Sequence, residues 1–384
     1  MANPTNYFID ASGGSNSNDG SLGSPWQTIA HAIDAPGSGG IAQNTTNGDF
    51  INLKDNAPHN LGGTSMNLAT NYGTSVLGAP FGIRGYSSAA GDGGIATIDC
   101  GGVSLFASGS YQAIMLADLA IQNSNTSNIV VLGTYSTISR CQVSNTTGKG
   151  ITVGANATVS GCEVYDVGGI AIDMNGNGSR AWGNLVRNGP TNNCTVGIQC
   201  SFETTGAVAF NRFQLGNSGG GSVGIYAHSG TFIANNSIWA NAGTGRGIDN
   251  SGAAKDCVVV LNNVVDGFSG TGGVGIEFAN SFAMMHGNYV SNCATKYNVT
   301  DQWITRTEAR AANTDGGTTA PFTNPSAGDF TPLASVTDLL NSWPPKVPGS
   351  GLTNYMWKGA VQPQVSAGGG GISVLISNNP LVRS

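Results

Sequence analysis

The sequence predicts an all-β solenoid: one long stack of parallel coils, in which every coil adds a strand to each of several sheets. Three observations predict it. A short phrase recurs every 21–27 residues between Leu119 and Asn288. The composition is rich in Gly (59 of 384 residues) and Asn (40) yet holds only 9% charged residues, against ~25% in ordinary soluble domains. Gly and β-branched residues run through every repeat, which excludes helix there.

The repeats align on the second residue of the Asn pair in "FIANNSIWANAGTGRGIDN". The matching pieces are "LADLAI", "ISRCQV", "VSGCEV", "AWGNLV", "VAFNRF", "IANNSI", "VLNNVV" and "MHGNYV", whose fourth residues are Leu119, Cys141, Cys162, Asn184, Asn211, Asn236, Asn263 and Asn288. A second column follows at Ile129, Ile151, Ile170, Ile198, Ile225, Ile248 and Ile276, six of the seven preceded by Gly. Each unit reads as two or three short alternating strands joined by Gly/Asn/Ser/Thr turns. A single unit cannot bury its apolar face, whereas stacked units about 4.8 Å apart can. Stacking sets equivalent residues above one another. Asn184, Asn211, Asn236, Asn263 and Asn288 are therefore expected to form a buried ladder of amide hydrogen bonds, with Gly permitting the turn, Ile entering the core, and Cys141 and Cys162 as small apolar stand-ins in the same column.

This pattern, above all "NNSIWANAGTGRGID" and "NNVVDGFSGTGGVGIE", resembles the right-handed parallel β-helix proteins of the pectin-lyase-like superfamily. The resemblance covers about 100–300 and implies the fold; the superfamily contains lyases, hydrolases, epimerases, phage tailspikes and inert modules, so function needs its own argument. The ends are similar to those of the superfamily as well. "YFIDASGGSNSNDGSLGSPWQTIAHAIDA" resembles an entry strand, a polar loop and a short capping helix, with Pro25 at the first helical position. The expected division is 1–98 for the N-terminal strand, cap helix and irregular coils; 99–300 for regular coils; 301–366 for an irregular C-terminal cap; and 367–384 for a Gly linker and terminal strand. An end-cap is required because an open coil stack is an unpaired sheet edge. The tail "ISVLISNNPLVRS" alternates like a strand, and is expected to pair with its own chain or to join a neighbouring subunit in a homo-oligomer or filament.

Charge and hydropathy exclude several classes. A net charge of −6 argues against nucleic acid, and no apolar run approaches the ~18 residues of a membrane span. The start, "MANPTNYFID", has no basic and apolar signal segment; association with a virion, or export by a non-classical route, is the expectation. Seven Cys without CxxC spacing indicate neither zinc nor a disulfide framework. No cofactor is expected. Asp10, Asn16, Asn18 and Asp19 offer oxygens to calcium but lack the spacing and terminal Glu of a calcium loop.

Alternation assigns the faces. With the Ile of Gly-Ile inward, the next residue points outward, giving Thr152, Ala171, Gln199, Tyr226, Asp249 and Glu277, with Asp173, Ser201 and His228 two residues further on. Asp249 and Glu277 would be neighbours at roughly 5 Å, able to act as acid and base or nucleophile in glycoside cleavage, with His228 beside them and Asp173, Gln199 and Tyr226 contacting an extended polysaccharide. The same polarity would suit a merely solvated sheet. Lys149 and Arg246 precede Gly-Ile, but no cluster of bases marks a uronate groove. Three functions follow: a structural or adhesive protein, such as a phage-type spike or a surface-assembly component, with a sugar-contact face; a polysaccharide lyase or glycosidase; and an inactive module. The missing basic groove and signal segment, the low charge and the tethered tail favour the first.

Overall fold

The structure, a computed structural model, describes residues 5–33, 48–66, 81–106, 113–201, 206–216, 221–251, 258–279, 283–300, 313–333, 335, 336 and 339. The tail and linker at 367–384, and much of 301–366, lie outside the described residues, and with them the expected docking strand. The chain divides into two compact units, residues 1–180 with 188–194, and 181–187 with 195–384. Each unit is built from parallel strands stacked as a β-solenoid.

In both units a coil passes through three sheets, here numbered I, II and III in the order the chain meets them. In the first unit, sheet I holds Asn6–Ile9, Phe50–Lys54, Phe81–Tyr86, Ile114–Ala117, Thr137–Ser139 and Thr158–Ser160, with parallel pairing from strand to strand. Sheet II includes Leu119–Ser124, Gln142–Thr146 and Glu163–Val167. Sheet III comprises Asn128–Leu132, Lys149–Val153 and Ile170–Met174. In the second unit, sheet I runs through Ala207–Ala209, Phe232–Ala234, Val258–Leu261 and Ala283–His286. Sheet II runs through Leu185–Arg187, Arg212–Leu215, Ser237–Ala240, Val264–Asp266, Tyr289–Ser291 and Thr314–Asp315. Sheet III runs through Val196–Cys200, Val223–Tyr226, Arg246–Asn250, Val274–Ala279 and Thr295–Thr300. The inward columns are buried aliphatics and aromatics, for example Val208, Ile233, Val260 and Met285 in sheet I and Phe213, Ile238, Val265 and Val290 in sheet II of the second unit.

The ladder forms in the expected column and gains a rung. Asn184, Asn211, Asn236 and Asn263 each donate Nδ2–H to the Oδ1 of the next Asn, at 2.9, 3.0, 2.9 and 2.9 Å, and Asn288 donates to Asn313 at 2.7 Å. The same Oδ1 atoms accept the backbone N–H of the preceding rung at 2.9–3.0 Å. The second amide proton of each inner rung goes to carbonyls, as from Asn236 to Ala234 and Val208. Cys162 copies that geometry with a thiol, donating to Ser160 and Ile138 at the corresponding positions. It is thus a weak donor in an amide's place, beyond an apolar stand-in.

The turn into each rung is left-handed at the residue before it. Asp118, Arg140, Gly161, Gly183, Phe210, Asn235, Asn262 and Gly287 all have φ between 52° and 67°. Asn and Gly tolerate that region best. The Asn pair therefore divides the work: the first Asn makes the turn and the second the ladder. The Gly of Gly-Ile has a different reason from the one expected. It is not among the positive-φ residues. A Cβ on Gly224 would stand 2.5 Å from the carbonyl oxygen of Gly247 on the next coil and 2.8 Å from Ile238 Cγ2 in the core. Close approach of coil and core, not a turn, requires glycine there.

At the N-terminus the helix starts later than expected: Trp26 is held extended in a parallel bridge to Ile9, so Pro25 is not the first helical residue, and the helix spans Ile29–Ile33, with Thr28 Oγ1 accepting the His31 N–H and Ile29, Ala32 and Ile33 buried. Near the other end, Phe322–Asn324 and Asp329–Pro332 form an antiparallel hairpin. Its Phe322 and Phe330, with Val336 and Leu339, pack on Val264 and Tyr289 and against Leu185 and Trp239. These are outward residues of sheet II, so the hairpin covers that sheet's flank.

Candidate functional site

Register on sheet III decides which side chains share a face. Ile151 pairs with Val130 and Ile172, so the inward column runs through Val130 and Ile172 where Ile129 and Ile170 were expected. The outward residue of that coil is therefore Asp173, which pairs with Thr152; Ala171 is buried. In "GGIAID" two isoleucines lie on one face, and the Gly-Ile anchor selects the wrong one. In the second unit the register holds as expected: Gln199 pairs with Tyr226, Tyr226 with Asp249, and Asp249 with Glu277, and the column goes on to Asn298.

The chemistry of this column centres on Arg246. Its Nε donates to Glu277 Oε2, and its Nη1 lies 3.7 Å from Asp249 Oδ2. Asn298 Nδ2 donates to Glu277 Oε1 at 2.7 Å, and the Ser251 backbone N–H donates to Asp249 Oδ1 at 2.7 Å. The two carboxylates are not the solvated side chains expected of an outward column. Asp249 is 3% exposed and Glu277 8%; the guanidinium lies against both and offsets their mutual repulsion. Tyr226 and Gln199 are half-buried, and Gln199 Nε2 donates to Ser201 Oγ at 2.8 Å.

The first unit repeats the device. Lys149 Nζ lies 2.6 Å from Asp173 Oδ2, one coil on. Lys149 and Arg246 each immediately precede a Gly-Ile, and each reaches diagonally to the outward acid of the next coil. In the sequence both stand as isolated bases before a Gly-Ile; the signal that marks them is their shared position, "KGI" and "RGI". Asn298 was missed because "KYNVT" has no Gly-Ile to align.

The expected set is thus only partly assembled. Asp249, Glu277, Tyr226 and Gln199 share one column in the second unit, whereas Asp173 belongs to the first unit and is tied to Lys149. His228 lies beyond the end of the strand Val223–Tyr226. Its Nδ1 is buried with no hydrogen-bond partner, and its carbonyl accepts from Thr231 Oγ1 at 2.8 Å.

The oxygens of Asp10, Asn16 and Asp19, which lack the spacing of a calcium loop, are bonded within the protein itself. Asp10 Oδ1 accepts from the Ser12 and Gly13 N–H groups and from Asn56, and Oδ2 from Lys54. Burial pushes the Asp10 carboxyl up, but the bonds from Lys54, Asn56, Gly13 and Ser12 outweigh it and hold the group well below the usual carboxylate range. Asn16 Oδ1 accepts from Gln27 and Thr28 N–H, and Asp19 Oδ1 from Ser21 N–H. Among the described residues no three His, Cys, Asp or Glu side chains cluster as a metal site, and no helix is long and apolar enough to cross a membrane.

No protein-family model and no curated protein sequence matches the chain. Solved structures do. A pectate lyase, Pel9A, superposes over 95% of this chain and 98% of its own at 13% identity, with a TM-score of 0.53. A rhamnogalacturonan lyase covers 82% and 87% at 12% identity, TM-score 0.47. A lacto-N-biosidase from Eubacterium ramulus covers 77% and 67% at 12% identity, TM-score 0.45. The first of these likenesses carries the fold alone, a parallel β-helix.

Proposed function

We propose that the chain acts on an extended polysaccharide, binding it along sheet III of the second unit and cleaving it at Asp249 and Glu277. The observation that carries the reading is the outward column Gln199, Tyr226, Asp249, Glu277 and Asn298, with Arg246 across its two acids. The likeness to a pectate lyase, at the level of the fold, supports a glycan-acting protein over the spike or surface-assembly component that composition favoured.

The charge on the face selects the ligand. Two acids share the one guanidinium, and with Asp249 holding the proton that it gives to the departing oxygen the face has no net positive charge, in a chain that is itself at −6. A polyuronate finds no net positive charge to offset the repulsion among its carboxylates, and β-elimination needs a uronate carboxyl beside the proton removed. A neutral, hydroxyl-rich glycan meets no such barrier, and its cleavage is hydrolysis. Asp249 and Glu277 sit on adjacent strands, whose ~4.8 Å spacing is close to the ~5–5.5 Å of retaining glycosidases. Glu277, oriented by Arg246 and Asn298, is the nucleophile: it attacks the anomeric carbon as Asp249 protonates the departing oxygen. Water, deprotonated by Asp249, then releases Glu277. Tyr226 and Gln199 position the sugar.

The test is incubation with neutral glycans and with polyuronates, reading reducing ends and ultraviolet-absorbing unsaturated product. Reducing ends from a neutral glycan, without unsaturated product, are expected. Glu277→Gln or Asp249→Asn should lower the rate by about 10²–10⁴-fold. Unsaturated product from a polyuronate, or binding that survives both substitutions with no cleavage by the wild type, would overturn the hydrolytic reading; the second outcome is the one an adhesive protein would give.

A further inference from the structure

Sheet I of the second unit carries an outward face that a solvated sheet does not need. In the last two coils of the first unit the outward pairs on this sheet are Thr137 with Ser139 and Thr158 with Ser160, flanking the inward Ile138 and Val159, after Met115 with Ala117 in the coil before. The same positions in the second unit hold Ala207 with Ala209, Phe232 with Ala234, Val259 with Leu261, and Met284 with His286. Trp182, two residues before Asn184, takes the place that Ser139 and Ser160 have before Cys141 and Cys162. Trp182, Phe232 and Met284 are 38%, 40% and 54% exposed. Elsewhere in this unit outward apolar residues are covered, as Val264 and Tyr289 are by the hairpin.

The strip is too narrow for a second copy of the chain. Five strands at ~4.8 Å give about 19 Å of length, and two outward positions about 7 Å of spacing. That makes roughly 130 Å², against the ~800 Å² per partner of a stable interface. It fits one extended chain. Trp182 and Phe232 stand two coils apart and in neighbouring outward columns, about 12 Å in all, with Ala209 and Ala234 as a low floor beside them. The Trp182 ring is held by Phe210, centroids 6.1 Å apart and planes at 19°. Arg180, exposed at the outward position two residues before Trp182, puts one charge at the end of the strip; the outward side chains of the four strands beyond it carry no permanent charge, and His286 at the far margin is a polar group for a hydroxyl. Flat, fixed, exposed rings over a small-residue floor suit the C–H faces of sugar rings.

We infer that this face is a second glycan-binding surface, which takes a neutral polysaccharide chain by stacking on Trp182 and Phe232. The class of ligand rests on the reading given for sheet III; the surface itself does not. The variant Trp182→Ser with Phe232→Thr places at each position the residue that the last two coils of the first unit use there, and far-ultraviolet circular dichroism and the melting temperature check its fold. Depletion binding to insoluble cellulose, xylan and mannan is measured beside turnover of a short soluble neutral oligosaccharide. Affinity for the polymer should fall about tenfold, with turnover of the oligosaccharide unchanged. Unchanged polymer affinity in a folded double variant would overturn the inference and leave the catalytic reading intact. Loss of polymer affinity in a protein that cleaves nothing would do the reverse. A wild type that binds no polymer sinks the surface outright, and so would a change in sedimentation in place of a change in glycan affinity.

Discussion

At the scale of the residue, the Asn ladder shows what one side chain contributes when a repeat stacks it on its own kind. Asn263 Oδ1 accepts both the backbone N–H and the side-chain amide of Asn236, and its own amide serves Asn288, Ile233 and Leu261. Asn263→Leu leaves two buried donors on Asn236 without their acceptor, at about 1–3 kcal/mol each. Thermal unfolding should shift down accordingly, whereas Asn177→Leu, at an exposed loop position, should stay within about 0.5 kcal/mol of wild type. Equal shifts for the two would mean that the ladder is not a stability element. The column was legible because five Asn recur in register. Asn313 was not, because "AANTDGG" lacks the apolar neighbours that mark a strand. The left-handed turn before each rung was hidden too, since Asp, Arg, Gly, Phe and Asn all fill it.

At the scale of the strand, the Gly-Ile signal was read correctly as a repeat and incorrectly as a turn. Alternation alone places Ile inward. It cannot reveal that the residue before it faces a carbonyl of the next coil and a core side chain of sheet II, which is a tertiary relation. Gly224→Ala tests the distinction. Its Cβ would meet Gly247 O at 2.5 Å and Ile238 Cγ2 at 2.8 Å, so coil and core must move apart, at about 1–3 kcal/mol for overpacking. Gly23→Ala, where a Cβ meets nothing within 4 Å, should be neutral or stabilise by about 0.4–1 kcal/mol. Denaturant midpoints decide, and a neutral Gly224→Ala would restore the turn explanation. The diagonal pairs Lys149 to Asp173 and Arg246 to Glu277 escaped the sequence for a related reason. Each joins residues more than twenty apart, and only the register brings them together.

At the scale of the whole molecule, sparse charge is the property that ties composition to function. With 36 Asp, Glu, Lys and Arg side chains among 384 residues (21 acidic, 15 basic), the surface has little long-range field, and several of its charges are spent on partners within the chain, as Asp118 is on Arg140 and Lys296 on Asp315. The glycan reading therefore makes a prediction about salt. A neutral polysaccharide held by stacking and hydrogen bonds displaces no counterions. Its affinity should change less than about twofold between roughly 0.01 M and 1 M NaCl, although the screening length falls from about 30 to about 3 Å over that range. A polyuronate drawn to Arg246 and Lys149 would behave oppositely, binding at low salt and leaving as it rises. Depletion assays across that series, with a neutral glycan and a polyuronate side by side, separate the two. A steep fall with salt for the bound glycan would show that attraction to charge dominates, and would return the sheet III face to the uronate chemistry that its lack of net positive charge argues against.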